Sequence, residues 1–168
     1  IDTSKRLLIG HTASVTSGWG VSPAVQVEGT DGSNSSLSVT RNSADASGGY
    51  LILAKSRGGS VGAATIVQDG DTTGSILFAG ADVGNRTPRT ARIHSEVDGT
   101  PGVDDMPGNL VFSTSSDGNQ DPSDRMWLDS SGNLGLGSGG GVSLDSTDVA
   151  LQVGSGGHST PTIQIRSG

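Results

Sequence analysis

The scarcity of large apolar side chains constrains this chain more than any other feature. Only 36 of the 168 residues are Leu, Ile, Val or Phe, close to the composition at which chains remain disordered. A compact monomer of this length buries roughly two-thirds of its unfolded surface. Here, little of that surface would offset the conformational entropy of ordering. The regular strand-like patterning opposes plain disorder. Both facts fit an intertwined oligomer that borrows its core from neighbouring copies. Without cysteine there is no disulfide framework and no thiolate metal site, so oligomerisation is the main remaining way to stabilise such a chain.

Charge excludes several partners. The net charge is −7, with two lysines and eight arginines. A nucleic-acid backbone calls for a basic stripe, and an anionic membrane surface calls for basic clusters. Neither is present, while negative charge keeps a repetitive fibre soluble. No stretch approaches the roughly 18 apolar residues of a membrane-spanning helix, and no signal-peptide pattern is seen. The expectation is no nucleic-acid binding and no membrane insertion. The start at Ile1 suits a processed product or part of a longer polypeptide.

Helix signals are nearly absent, because Ser, Thr, Gly, Asn and Asp fill most non-apolar positions and compete with helix formation. Short apolar runs recur between turn residues, the pattern of many short strands. The spacing predicts strands at Arg6–Ile9, Ala24–Val27, Ser36–Thr40, Tyr50–Lys55, Thr65–Gln68, Ser75–Ala79, Ala91–Val97, Asn109–Ser113, Met126–Asp129 and Thr162–Arg166. Val25 and Val27 point one way and Gln26 the other. Turns are expected at Thr30–Gly32, Gln68–Asp71, Ser116–Asn119 and Ser130–Asn133, where Asp-Gly and Gly-Asn pairs supply positive φ.

Internal repeats point to modules. Pro23-Ala24-Val25-Gln26-Val27 recurs as Pro161-Thr162-Ile163-Gln164-Ile165 and, in a third form, as Val149-Ala150-Leu151-Gln152-Val153. Leu7-Leu8-Ile9-Gly10 matches Leu134-Gly135-Leu136-Gly137. Gly74-Ser75-Ile76-Leu77-Phe78 resembles Gly108-Asn109-Leu110-Val111-Phe112, an offset of 34 residues that suggests two related β-units. The expected organisation is a β-rich shaft segment at 1–48 with the start of a repeat module, a central fibre module at 49–137, and a Gly/Ser-rich connector opening the next repeat at 138–168.

Across residues 50 to 137 the chain resembles a known family. Gly108-Asn109-Leu110-Val111-Phe112-Ser113-Thr114, then Asp117-Gly118, then Pro122-Ser123-Asp124-Arg125-Met126-Trp127-Leu128-Asp129, then Gly132-Asn133-Leu134-Gly135-Leu136-Gly137 is similar to shaft segments of bacteriophage tail-fibre and tailspike proteins, of the type often followed by a C-terminal intramolecular chaperone domain. The resemblance implies an all-β, elongated, intertwined homotrimeric fibre, a triple-stranded β-helix or β-prism-like shaft with many short strands. It implies a structural role in a virion appendage, supporting host-cell attachment. The implied partners are further copies of the chain, other virion proteins, and a host surface receptor or glycan. No chaperone domain and no receptor-binding tip is recognisable here. A tailspike-type enzyme acting on surface polysaccharide and a bacterial trimeric surface adhesin are the alternative classes.

Spacing by two puts Leu110, Phe112, Met126 and Leu128 on strand faces, and these four are the expected trimer core. Gly135 and Gly137 suit close backbone approach at a crowded axis or a tight turn. Arg125, beside Asp124 and Asp129, reads either as an interchain ion-pair partner or as a solvated arginine.

No catalytic, cofactor or metal residues are expected. Gly135, Gly137 and Gly140 spell G-x-G-x-x-G, yet that motif needs a helix opening there. Asp117, Asn119 and Asp121 begin like a calcium loop, but Pro122 and Leu128 occupy its glycine and glutamate positions, so an Asx-rich turn is expected. His11, His94 and His158 lie far apart, without zinc spacing. His94 reads as a solvent-facing strand histidine, with a symmetric site at the trimer axis as the alternative. No G-x-S-x-G elbow marks a nucleophile, and no aromatic-lined carboxylate groove marks a glycosidase. Asn34-Ser35-Ser36 and Asn85-Arg86-Thr87 have the form of glycosylation sequons.

Overall fold

The structure is a computed structural model that describes residues 1–137 and the backbone of residues 152–153. The connector expected at 138–168, His158 and the strand expected at Thr162–Arg166 otherwise lie outside the described residues. The described chain is all-β, without helix, and so contains no helix long and apolar enough to cross a membrane.

The strands are β1 (Leu7–Ile9), β2 (Val25–Val27), β3 (Thr72–Ala79), β4 (Arg89–Val97), β5 (Gly108–Thr114), β6 (Ser123–Leu128), β7 (Leu134–Leu136) and β8 (Gln152–Val153). Two compact units result. One comprises Ile1–Leu53 with Ala79–Arg89, the other Ala54–Phe78 with the chain from Thr90 onward.

In the first unit, β1 and β2 pair in parallel, Leu8 opposite Gln26. Gln26 faces inward and Val25 outward: Gln26 is 7% exposed and Val25 59%. The amide accounts for this inversion of the usual preference. Its Oε1 accepts from Val15 N at 3.0 Å, and its Nε2 donates to Ser14 Oγ at 2.7 Å and Pro23 O at 3.1 Å. A buried amide is tolerated when its donors and acceptor are bonded. Elsewhere in this unit, Arg86 Nη2 donates to Glu28 at 2.6 Å, and the Arg89 guanidinium lies 5.8 Å from the Trp19 ring centre.

In the second unit, β3 through β8 form one sheet in sequence order. β4–β5, β5–β6 and β6–β7 are antiparallel, and β7–β8 is parallel. The two stretches related by the 34-residue offset, β3 and β5, flank β4 on either side. The β7–β8 pair sets Gly135 opposite Gln152 and Leu136 opposite Val153. That register copies Leu8–Gln26 and Ile9–Val27, so the sequence repeat is also a repeat of backbone pairing, carried by Gln152–Val153 of the 149–153 copy.

Turns form where Asp-Gly chemistry placed them. Asp31 Oδ1 accepts from Ser33 N and Asn34 N. Asp71 N donates to Gln68 O, and Gly70 takes φ 76°. Asn119 N donates to Ser116 O, with Gly118 at φ 81°. Gly132, at φ 84°, closes the turn onto Asp129 O. Asp129 Oδ1 also accepts from Ser131 N and Asn133 N.

Three expected strands are not strands. Ser36–Thr40, Tyr50–Lys55 and Thr65–Gln68 carry no strand assignment. A strand exists through its ladder to a neighbouring backbone; Thr65 O accepts a single bond from Arg57 N, and no ladder forms at any of the three segments among the described residues. β7 was missed as a strand because three residues with a central glycine carry little β signal.

Candidate assembly face of the sheet

Cross-strand partners lie on one sheet face, so the register assembles the face directly. Ser95, Leu110, Leu128 and Leu134 form one row across β4 to β7, and Ile93, Phe112, Met126 and Leu136 form the next. The four core candidates therefore sit together as two adjacent pairs, Leu110 with Leu128 and Phe112 with Met126. Ile93, Leu134 and Leu136 extend the patch. The sequence reading missed them, although alternation in 91–97 and the Leu-Gly-Leu repeat carried the signal.

Nothing in the described chain closes this face. Leu110 is 39% exposed, Leu128 45% and Leu134 39%. Ile93, Phe112, Met126 and Leu136 are half-buried. Among the described residues only Val67, Val97 and Val111 are buried hydrophobics, against 22 exposed large ones. Most of the described apolar side chains are thus left uncovered by the described residues.

The opposite face has a different character. His94, Val111, Trp127 and Gly135 form its central row. Gly135 is where the indole of Trp127 rests: a Cβ there would lie 2.2 Å from Trp127 Cε2. The close approach foreseen for this glycine is therefore to a side chain of its own sheet. Gly137, at φ 148°, ends the strand, and its N–H donates to Arg125 O. The G-x-G beginning at Gly135 thus belongs to a strand and its exit rather than to a helix start; Gly140 lies outside the described residues.

A polar cluster continues this face. A bulge makes Arg125 the extra residue, since Phe112 pairs with Met126 and Ser113 with Asp124. The Ser113 hydroxyl donates to Asp124 Oδ1 at 2.8 Å. Thr72 Oγ1 donates to Glu96 Oε1 at 3.3 Å, and Arg92 donates to Ser75 Oγ and Thr72 Oγ1.

His94 is not the solvent-facing histidine expected. It is 4% exposed, on the sheet face opposite Leu110 and Phe112. Alternation put a polar residue on this face, and the fold buries it in the row that holds Val111 and Trp127. Its Nε2 lies 3.2 Å from Glu96 Oε1, and its buried Nδ1 has no hydrogen-bond partner among the described residues. Burial, aided by the Arg92 charge, holds the imidazole pKa below its ordinary value against the opposing pull of Glu96 and Asp124.

At the start of the second unit, Arg57 forms a bidentate pair with Asp71, Nε–Oδ2 2.6 Å and Nη2–Oδ1 2.8 Å. Those hydrogen bonds, followed by the one from Gln68 N, hold the Asp71 carboxyl well below the usual carboxylate range. Asp71 thus closes the turn through Gln68 N, while Asp69 ties it to the distant Gly99 N. Among the described residues no three His, Asp or Glu side chains converge as a metal site.

Compared with known proteins, the chain matches no family model and no curated protein.

Proposed function

We propose that this chain is a segment of a homotrimeric structural fibre of the bacteriophage tail-fibre or tailspike type, a shaft that supports host attachment from a virion surface appendage. The observation that carries this reading is the two-row apolar face of β4–β7, left open by the described residues. Covering each half-exposed Leu, Ile, Phe or Met there contributes on the order of 1 kcal/mol. Association with further copies supplies that contribution. The motif string from Gly108 to Gly137 supports the phage type, and the repeated parallel pairing suits a shaft built from modules. In this reading the trimer core comprises Leu110, Phe112, Met126 and Leu128, enlarged by Ile93, Leu134 and Leu136. The role is mechanical and adhesive, without catalysis.

Sedimentation equilibrium of the 168-residue chain, with electron microscopy of the particles, tests the reading. A trimer mass and rod-shaped particles are expected. A cooperatively melting monomer would refute it.

A further inference from the structure

We propose that Asp117 is a spontaneous modification site, the Asp-Gly step at which this fold permits conversion to isoaspartate. The inference goes beyond the homotrimer reading and does not depend on it.

The chemistry runs within the chain. The Gly118 backbone nitrogen attacks Cγ of the Asp117 carboxylic acid. A C–N bond forms, the amide proton is lost, and the hydroxyl leaves as water, closing a cyclic succinimide. Water then adds at one of the two ring carbonyls, and that carbonyl's bond to nitrogen breaks. Addition at Cγ restores aspartate. Addition at the former backbone carbonyl leaves the chain running through Cβ and Cγ, one methylene longer, with the α-carboxylate as the side group. The mass is unchanged, and water is the only co-reactant.

Ring closure needs a carboxyl free to turn onto the next nitrogen, an N–H held by nothing else, and a following residue without a side chain. Asp-Gly occurs at 31–32, 69–70, 98–99 and 117–118, so glycine meets the last condition at all four. The structure decides the other two.

Three of the steps are locked. Asp31 Oδ1 accepts from Ser33 N at 2.9 Å and Asn34 N at 3.0 Å, and Oδ2 accepts from Asn34 Nδ2 at 2.8 Å. Asp69 Oδ1 accepts from Gly99 N at 2.8 Å, and Gly70 N donates to Val97 O at 2.8 Å. Asp98 Oδ2 accepts from Ser130 N at 2.8 Å, and its neighbour's N–H is the one bound to Asp69. Each lock must open before the ring can close, which lowers the reactive population.

At 117–118 neither reacting group is held. The turn is closed by the residues on either side: Asn119 N donates to Ser116 O at 3.1 Å, and Asn119 Nδ2 to Ser116 Oγ at 3.1 Å. Among the described residues, no hydrogen bond or ion pair engages the Asp117 carboxyl or the Gly118 N–H. Both residues are exposed, and a Cβ on Gly118 would meet nothing within 4 Å. The product also fits. Pairing of β5 with β6 ends at Thr114–Ser123, so the added methylene falls in the 115–122 connection and leaves the ladder intact.

The test incubates the folded, unsubstituted chain at neutral pH in water enriched in heavy oxygen. Each passage through the ring builds one solvent oxygen into the residue, and fragmentation mass spectrometry places the label. Residue 117 should gain label about tenfold faster than 31, 69 or 98, and its peptide should split into two chromatographic forms of equal mass. In denaturant the four steps should label alike. Asp117→Glu, whose longer side chain disfavours the ring, should carry no label at 117. Label at 31, 69 or 98 that keeps pace with 117 in the folded protein overturns the proposal, as does an unlabelled residue 117. Label at 117 without the second form shows ring closure without conversion and also overturns it. A lead at 117 that persists in denaturant would assign the selectivity to neighbouring sequence and remove the structural argument.

Discussion

Replacing Gly135 by Ala adds one methyl group where the Trp127 indole lies. The new Cβ would sit 2.2 Å from Cε2, 2.3 Å from Cζ2 and 2.6 Å from Nε1. No flexible side-chain end is involved, because the three atoms belong to one rigid ring. The indole must swing off the face, or β7 must separate from β6 across the Met126–Leu136 and Leu128–Leu134 pairs. Overpacking of this kind costs about 1–3 kcal/mol per chain. At about 2–4 °C per kcal/mol for a chain of this size, the melting temperature should fall by about 2–12 °C. Trp19→Phe in both parent and variant leaves Trp127 as the only tryptophan. Its emission should shift to the red as the ring becomes wetter. Gly59→Ala is the control, with nothing within 4 Å of the added carbon. Unchanged melting and emission in Gly135→Ala would refute the placement of the indole on this glycine, and with it the assignment of the two faces.

Phe112→Ala should lower the melting temperature of the assembly far more than Asp117→Ala, an exposed turn change. Full burial makes a Phe truncation cost roughly 3–5 kcal/mol per chain; equal melting at matched chain concentration would remove Phe112 from the core. For His94, the folded pKa is lowered, so the unfolded state takes up the proton first. The stabilisation is complete above about pH 6.5 and declines as pH falls below it. The parent should therefore lose more melting temperature than His94→Gln between pH 7 and pH 5, and parallel pH profiles would contradict the buried, neutral imidazole. For Asp71, the depressed folded pKa gives a stabilisation present above about pH 4 and lost as pH falls through the folded value. Asp71→Asn at pH 7 should speed amide exchange at Gln68, whose N–H donates to that carboxylate; unchanged exchange would show the clip to be idle. Incubation with host surface glycans should release no reducing ends, and reproducible release abolished by changing one Asp pair would favour the polysaccharide-cleaving alternative.

The sequence by itself determined what is local. Asp-Gly and Gly-Asn pairs set the turns at 31–34, 68–71, 116–119 and 129–133, because a side chain accepting from N–H groups two or three residues on needs no distant partner. Alternation put Leu110 with Phe112, and Met126 with Leu128, on strand faces; the repeat was legible, but that its copies pair alike as β1–β2 and β7–β8 came from the structure. Tertiary structure decided everything that needs a neighbour. Ser36–Thr40 alternates more strictly than Asn109–Ser113, where Val111 breaks the pattern, yet only the second meets a backbone on each side. Gln26 is buried and Val25 exposed because loop groups at Ser14, Val15 and Pro23 reach the amide. His94 is buried in a row with Val111 and Trp127, residues that no window around residue 94 contains. Strand sequence sets which residues share a face; pairing and packing set whether that face meets protein or water.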